Sequence, residues 1–503
     1  MDACLKSATL HGLQGRVLGV TAFAEPGLPG LEQRGMLTRG LGRRAERVWA
    51  AVTASGLPWP RSKVTVTVTP DWLPKHDSAV DLAIAVAVLA TDATVEEYAA
   101  AGVMYYAGLG TDGSLLPVPG VLQAATEAAR AGCRALVVAA GNSAEARLVP
   151  GVTVIGASRL AEVAGWLCGG PAPAVTVPRR AERPTDGDRV DIRGNRAACL
   201  AAEVSAAGGH HLTLTGPPGS GVPLLAGRIR GLLPALDEAT ALEVTAVHSA
   251  AGTLDPADPL VTVPPFSAPH RSSTVAGMAG GWEDGVLRPG AASLAHRGVL
   301  FLDRAPEFDP EVLAALRGPI ETGTVTPARD GLNGFSGRLP ARFILVTASA
   351  PCQCSELGPG ACRCSPTACG RYASRLSSPL HDRVSLRAVM TPPSLGHAEE
   401  AGEATVVIAA RVAAARDRAA LRLAGTPWRV NAEIPRDELL RRFMPEGGGW
   451  EPMGRAIDLG VVSDFAASDV LRVAWTIADL NGRPRPTRGD CAEALSLRMG
   501  EMQ

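Results

Sequence analysis

The sequence predicts a multidomain α/β protein with a helical carboxyl-terminal domain. Strand and helix patterns alternate over residues 1–168 and again over residues 189–395, which indicates two α/β domains. Residues 169–188 are rich in proline, glycine and charge, as is typical of a linker. Residues 396–503 carry mainly helical patterns. The length of 503 residues and the apolar fraction of 46% suffice for cores in roughly two to four domains.

The first α/β domain shows its elements in a clear order. Lys63 to Thr69 (KVTVTVT) alternates like a half-buried strand, and Val80 to Ala90 is an apolar helix candidate. Gly110 to Pro117 carries the turn residues of a hairpin. A helix at Val121 to Ala131 and a strand at Ala135 to Val138 complete the expected unit.

The second α/β domain contains a glycine-rich stretch with the context of a phosphate-binding loop. An apolar strand candidate, His211 to Thr215, precedes it, and a helix candidate begins at Leu224. The candidate nucleotide-binding residues of this loop are Gly216, Pro217, Pro218, Gly219, Ser220, Gly221, Val222 and Pro223. The preceding histidines, His210 and His211, are neighbours that face opposite sides of a strand, so we expect one to be buried and the other exposed.

The loop lacks the two side chains that a phosphate-binding loop uses. After the second glycine, a lysine normally reaches the outer phosphates and a serine or threonine hydroxyl ligates Mg²⁺. Val222 and Pro223 stand at these positions. The chain has no lysine after Lys75, so no nearby segment can supply a substitute. We therefore expect a degenerate nucleotide site in which ATP and Mg²⁺ bind weakly or not at all.

Five of the ten cysteines crowd between Cys352 and Cys369. Cys352, Cys354, Cys362 and Cys364 form two C-x-C pairs, whose four thiolates suit a structural tetrahedral Zn²⁺ site. Four reduced cysteines in a surface loop and a redox pair are the alternatives. Cys369 is positioned to replace one ligand, and Gly358 and Gly360 allow the intervening turn.

The composition indicates which partners and which cellular compartment to expect. The formal net charge is −1, so no overall basic field indicates nucleic acid, although a local basic rim can still bind it. The amino terminus lacks the pattern of a secretory signal, and the apolar run Leu82 to Ala90 is too short to span a bilayer. We expect a cytoplasmic protein with no membrane partner.

Besides the phosphate loop and the paired cysteines, the chain contains a series of distinctive blocks: GLPG (Gly27 to Gly30), DGSLLPVPGVL (Asp112 to Leu122), HSAAG (His248 to Gly252), PFSAPH (Pro265 to His270), SLAHRGVLFLD (Ser293 to Asp303), SRLSSPLHDR (Ser374 to Arg383) and VAWTIADL (Val473 to Leu480). The order of these blocks produces a resemblance, over essentially the whole chain, to the Mg-chelatase-like AAA+ proteins of the ComM/YifB type. It implies a Lon-protease-like domain at 1–168, a AAA+ core at 189–395 and a helical domain at 396–503. For the family it also implies an ATP-driven hexameric ring that acts on DNA, with branch migration in recombination and natural transformation (competence).

The resemblance also assigns roles to single residues. Asp303 matches the Mg²⁺-associated aspartate, whereas Arg304 replaces the glutamate that orients water, and Ala350 replaces an asparagine that senses the γ-phosphate. A guanidinium cannot act as a general base, although Arg304 can pair with Asp303 or with a phosphate. Arg383 matches an arginine that reaches a neighbouring subunit's nucleotide; a structural pair with Asp382 or another carboxylate is equally consistent with the sequence.

Other family positions are also altered. Phe465, Asp469 and Trp475 align with arginines of the helical domain, and only Arg472 remains nearby. In the Lon-like domain the serine and lysine of the protease align with Ala79 and Leu122. We therefore expect no protease activity and no catalytic residues.

Two readings of the function follow. The first is a structural or regulatory member of a DNA-processing ring, homomeric or mixed, whose own ATP binding and hydrolysis are impaired. The alternative is an active ATP-dependent DNA translocase with an atypical ATP site. A third reading, a chelatase-type motor for metal insertion, rests on the fold alone.

Overall fold

The computed structural model describes most of the chain in segments. These are residues 4–34, 41–70, 73, 78–95, 97–174, 192, 194–283, 286–327, 337–352, 354, 362–376, 380, 383–392, 402–445 and 447–500. Residues 175–188 of the predicted linker, together with Lys75, Gly358, Gly360 and Asp382, lie outside the described residues. Residues 169–174 contain neither helix nor strand.

The described elements are 18 strands and 19 α-helices. The strands are β1 Cys4–His11, β2 Gln14–Glu25, β3 Gly30–Arg34, β4 Lys63–Thr69, β5 Val103–Tyr106, β6 Gly108–Leu109, β7 Leu115–Leu116, β8 Ala135–Ala139, β9 Thr153–Ala157, β10 Leu212–Thr215, β11 Phe266–Ser267, β12 Gly281–Glu283, β13 Val286–Arg288, β14 Val299–Leu302, β15 Thr324–Val325, β16 Leu339–Pro340, β17 Ile344–Ser349 and β18 Leu386–Val389. The helices are α1 Leu41–Ala54, α2 Asp81–Thr91, α3 Glu97–Ala100, α4 Val121–Arg130, α5 Ser143–Ala146, α6 Leu160–Leu167, α7 Arg196–Gly208, α8 Val222–Leu232, α9 Glu238–Ala251, α10 Val275–Ala279, α11 Ala291–Leu294, α12 Pro310–Ala315, α13 Arg317–Thr322, α14 Pro366–Leu376, α15 Thr405–Arg422, α16 Arg436–Arg442, α17 Glu451–Asp458, α18 Asp464–Leu480 and α19 Arg488–Met499.

The amino-terminal domain is built on a mixed seven-stranded sheet in the order β3-β4-β2-β1-β5-β8-β9. The predicted strands at 63–69 and 135–138 and the predicted helices at 80–90 and 121–131 are confirmed within one residue at each end, and β6 and β7 form the predicted hairpin. Asp81 to Leu89 of α2 are all buried. The Asp81 carboxylate is matched by Arg44 and Arg47, with N to O distances of 2.8 and 2.7 Å.

The central domain is built on a parallel five-stranded sheet in the order β11-β14-β17-β10-β18. The middle strand, β17, is buried along its whole length because helices cover the sheet. Leu302 of β14 is in register with Thr347, and Thr215 of β10 is in register with Ser349. The carboxyl ends of β14, β17 and β10 therefore meet at one edge of the sheet, where the phosphate-loop segment, Asp303 and Ala350 follow.

The carboxyl-terminal region is helical, as predicted, and α15 to α19 share one apolar core with the central domain. A buried polar network crosses this contact. His210 Nε2 lies 2.7 Å from Thr476 Oγ1, and Asn431 donates to both Thr476 and Asp479 at 3.0 and 2.9 Å. Arg422 donates to both carboxylate oxygens of Asp479 at 2.6 Å each, so this buried carboxylate is matched by charge and hydrogen bonds.

A second polar contact joins the amino-terminal domain to the central domain. The Ser249 hydroxyl on α9 donates to the buried Glu145 carboxylate at 2.5 Å, and the Gln123 side chain on α4 donates to the Ala246 carbonyl at 2.7 Å. Burial raises the pKa of Glu145, while the hydrogen bond from Ser249 acts in the opposite direction. The two domains are thus joined by buried, directional bonds. None of the helices in the described ranges is long and apolar enough to cross a membrane.

The Asp479 network predicts an unequal pair of stability effects. Arg422→Ala leaves the Asp479 carboxylate buried without its cation, so we expect a loss of about 3–5 kcal/mol in the free energy of unfolding. Arg455→Ala is the matched control, because Arg455 and its partner Glu451 are both exposed, and such a pair contributes less than about 1 kcal/mol. Guanidinium denaturation followed by circular dichroism measures both, and equal shifts would contradict a stabilising role for the network.

Candidate nucleotide site and cysteine cluster

The glycine-rich segment has the backbone shape of a phosphate loop. It begins after β10, where the Gly216 N–H donates to the Ser349 carbonyl at 3.0 Å. Gly219 and Gly221 both have φ of +84°, a left-handed conformation that glycine adopts without strain. Helix α8 then begins at Val222, with Pro223 in its first turn, where a missing N–H is tolerated.

Two side chains of the loop lie close to Gly216. Val222 is buried, and a Cβ atom added at Gly216 would lie 3.1 Å from Val222 Cγ2 and 2.5 Å from Ser220 Oγ. The Ser220 hydroxyl donates to the Pro217 carbonyl at 2.7 Å, so its proton is used in a hydrogen bond within the loop. The fully buried side chain of Met390 lies 3.9 Å from a Cβ added at Gly221. The lysine position is thus occupied by an apolar group packed into the core, which does not fit the outer phosphates of ATP.

The next segment of the sheet edge, after β14, carries Asp303 and Arg304. Asp303 is exposed, so its carboxylate remains accessible to a cation. Arg304 has φ of +51°, and its guanidinium lies 3.7 Å from the Glu307 carboxylate rather than pairing with Asp303. Arg271 also pairs with Glu307. The sequence offers two partners for Arg304, Asp303 or a phosphate, whereas the ion pair that its guanidinium forms in the structure is with Glu307.

The position of the γ-phosphate sensor follows the central strand. Ala350 comes directly after β17, and its methyl group neither donates nor accepts a hydrogen bond. The nearest hydroxyls on the strand ends bond to each other, with 3.2 Å between Thr215 Oγ1 and Ser349 Oγ. Tyr372 on α14 is buried against this edge, where its hydroxyl is hydrogen-bonded to the Ala350 backbone.

The remaining arginine of α18 is directed into the helical domain. Arg472 donates to the Ile434 carbonyl at 2.8 Å and to the Asp469 carboxylate at 2.5 Å. Trp475 is buried and donates its indole N–H to the Phe443 carbonyl at 2.7 Å, whereas Phe465 is exposed. The positions aligned with arginines therefore carry a buried tryptophan, an exposed phenylalanine and an aspartate paired with Arg472, and they form no cationic cluster.

Arg383, the candidate trans-acting arginine, pairs with Glu321 on α13. Both side chains are partly exposed, and such a pair contributes little stability, so a stronger anion can compete for the guanidinium. Of the two interpretations of Arg383, a contact with a neighbouring subunit's nucleotide or a pair with a carboxylate, the structure contains a pair with the Glu321 carboxylate.

The two positions aligned with the protease dyad carry buried apolar side chains. Ala79 lies in a short 3-10 turn before α2, and Leu122 lies in the first turn of α4. The Leu122 N–H donates to the Glu145 carboxylate at 3.0 Å, so this segment serves the contact between domains.

The two histidines before β10 are both fixed by hydrogen bonds. Burial lowers the pKa of His210 to about 3, and its Nε2 contacts Thr476. His211 is half-buried, accepts a hydrogen bond from the Leu345 N–H at 3.0 Å, and has a pKa lowered by burial to about 4. The expectation that one of them is exposed is therefore wrong, because β17 covers the ring of His211.

The four cysteines of the two C-x-C pairs come together. Their sulfur atoms all lie within 4.8 Å of one another, with 2.9 Å between Cys352 and Cys354 and 3.5 Å from Cys362 to each of these two. A tetrahedral zinc ion with Zn–S bonds of about 2.3 Å sets its sulfurs roughly 3.8 Å apart. Hydrogen bonding with the Cys354 thiol raises the pKa of Cys352 and raises that of Cys364 to about 12. A bound cation would replace these shared protons.

Comparison with known proteins identifies the family. Residues 188–397 match the model described as magnesium chelatase, subunit ChlI, residues 20–142 match subunit ChlI of Mg-chelatase, and residues 402–498 match the ChlI carboxyl-terminal model. An uncharacterised protein of Mycobacterium tuberculosis, Rv2897c, is 42% identical over 98% of this chain and 97% of its own.

Two further relatives are named proteins. YifB of Escherichia coli K12 is 36% identical over 97% of this chain and 95% of its own length. The competence protein ComM of Haemophilus influenzae is 31% identical over 99% and 97% respectively. With the parallel sheet, the phosphate-loop segment and the helical domain in place, the chain belongs to the ComM/YifB family of Mg-chelatase-like proteins.

Proposed function

We propose that this chain is a structural or regulatory member of a DNA-processing assembly, with its own ATP binding and hydrolysis impaired. The observation that carries the proposal is the buried Val222 side chain at the lysine position of the phosphate loop. A lysine at that position extends to the phosphates, whereas this valine belongs to the same apolar core as Met390 and offers no charge. The retained loop backbone supports a fold inherited from a nucleotide-binding ancestor.

The lost contacts account for weak nucleotide binding. Each charge-assisted hydrogen bond contributes roughly 1.5–3 kcal/mol. Val222 removes the ammonium, while Pro223 removes both the Mg²⁺-ligating hydroxyl and one backbone N–H of the helix amino terminus. Two or three such losses weaken binding by several orders of magnitude. The N–H groups that remain in the loop retain a residual attraction for an anion.

Side chains that the family uses for ATP hydrolysis are also replaced in this chain. Arg304 replaces the residue that orients water, and its guanidinium is bound to Glu307. The Ala350 side chain offers no polar atom to a γ-phosphate. Asp303 is exposed and still able to approach Mg²⁺. One carboxylate is not sufficient for hydrolysis, which also needs a residue that orients water and a lysine that binds the phosphates.

The role in DNA processing is supported by the family rather than by a groove in this chain. One relative is a competence protein, and this name supports a role near DNA uptake and recombination. We infer a ring, hexameric by family resemblance, in which Arg383 faces a neighbour's nucleotide after releasing Glu321. A catalytically intact partner in a mixed ring would then supply the turnover that this chain lacks. The competing function is an ATP-dependent DNA translocase with an atypical site.

The nucleotide hypothesis predicts that the purified protein at high concentration hydrolyses ATP no faster than Asp303→Ala, with or without branched DNA. Restoring the lost groups with Val222→Lys, Pro223→Thr and Arg304→Glu together should raise nucleotide affinity at least roughly tenfold, since each restored bond contributes about 1.5–3 kcal/mol. Calorimetry and a phosphate-release assay provide the two readouts. Wild-type turnover that Asp303→Ala abolishes would favour the translocase instead.

We also propose that the cysteine cluster holds one structural Zn²⁺, because four sulfur ligands close the site to water. Metal analysis of the purified protein should give one zinc per chain, and Cys352→Ser with Cys362→Ser should remove it, since two of four ligands are lost. The control is Cys4→Ser with Cys168→Ser, two exposed cysteines of the amino-terminal domain. Full zinc content in the Cys352/Cys362 double variant would refute the assignment.

A further inference from the structure

A fifth thiol lies against the four-cysteine cluster. The Cys369 sulfur is 3.5 Å from the Cys362 sulfur, which is as close as Cys362 lies to Cys352 and Cys354. Four sulfur ligands complete a tetrahedral zinc site. A fifth thiol in contact with one of them has no coordination position and is left as a reaction partner.

The contact between Cys362 and Cys369 is on the accessible side of the cluster. Cys362 is exposed and Cys369 is partly exposed, whereas Cys352 is buried. Partial exposure and a second thiol 3.5 Å away are the surroundings in which an oxidised protein thiol forms a disulfide.

We propose that Cys369 is a redox modification site, at which a hydroperoxide drives a Cys362–Cys369 disulfide and expels the zinc ion. The inference rests on the zinc centre proposed above. It adds a residue outside the four ligands and a chemical signal that controls metal occupancy.

The chemistry balances with a hydroperoxide as the oxidant. The Cys369 thiolate attacks the terminal oxygen of the peroxide, its O–O bond breaks, and an alcohol, or water for hydrogen peroxide, leaves after taking a proton. The Cys362 sulfur then attacks the Cys369 sulfenic acid, an S–S bond forms, and hydroxide leaves and becomes water. The two sulfurs together lose two electrons and the peroxide gains two. Zinc keeps its charge but loses Cys362 as a ligand, and three thiolates no longer close the site.

The disulfide would act on the edge of the central sheet. Cys369 lies in α14, and the same helix buries Tyr372, whose hydroxyl is bonded to the Ala350 backbone. Helix α14 also packs against the turn at Ala305–Glu307, next to Asp303 and Arg304. Metal loss at the amino end of α14 would loosen the element that covers this edge.

The test uses the full-length, zinc-loaded protein treated with hydrogen peroxide. A chromogenic chelator follows zinc release, and peptide mass spectrometry maps the disulfide. We expect wild-type protein to release its zinc as a Cys362–Cys369 disulfide forms. Cys369→Ser should hold the same amount of zinc and release it at least roughly tenfold more slowly, because a hydroxyl cannot form the disulfide.

The matched control is Cys168→Ser, which removes another exposed thiol and should release zinc at the wild-type rate. Equal release rates for wild type and Cys369→Ser would overturn the redox role while leaving the zinc centre intact. A reduced zinc content in Cys369→Ser would instead identify Cys369 as a ligand and overturn the inference. Wild-type protein without zinc would overturn the zinc centre and this inference together.

Discussion

The parallel pairing of β17 with both β10 and β14 is the constraint on which the rest of the site depends. Thr215 pairs in register with Ser349, and Leu302 with Thr347, so the chain segments that follow the three strands emerge side by side. This arrangement uses backbone hydrogen bonds and apolar side chains, and none of it requires a lysine or a catalytic acid. The strand arrangement therefore does not depend on which side chains stand at Val222 and Arg304. Chemistry depends on single side chains, whereas strand register depends on many residues at once.

Two of the positions singled out in the sequence are used for packing. Val222 and Trp475 are both buried in the core that the central and helical domains share, and the Arg422 guanidinium lies 4.4 Å from the centroid of the Trp475 ring. A buried apolar side chain gains stability because its surface is removed from water, whereas a solvated lysine does not.

Buried carboxylates lie both within a domain and between domains. Asp479 is matched by Arg422 and Asn431 inside the helical domain, and this network reaches the central domain through the contact of His210 with Thr476. Glu145 accepts a hydrogen bond from Ser249 across the contact between the amino-terminal and central domains. A hydrogen bond to a buried carboxylate is directional, and its loss leaves an uncompensated charge, so these contacts specify one arrangement more strictly than apolar packing does. The four cysteines of the cluster come together just before α14, a helix that packs against the turn at Ala305–Glu307.

The amino-acid sequence by itself determined the fold class and several elements of the amino-terminal domain, such as the strand at Lys63–Thr69 and the helix at Asp81–Thr91. Alternation in KVTVTVT and the glycines at 216 and 221 carry their structural meaning locally, because strand period and left-handed turns depend on a few adjacent residues. Only the tertiary structure decided where the altered side chains point and which groups they contact. The partner of Arg304 is Glu307, that of Arg383 is Glu321, and the ring of His211 accepts a hydrogen bond from Leu345, 134 positions away. Such contacts depend on how whole elements pack against each other, and the spacing of residues along the chain does not contain that information.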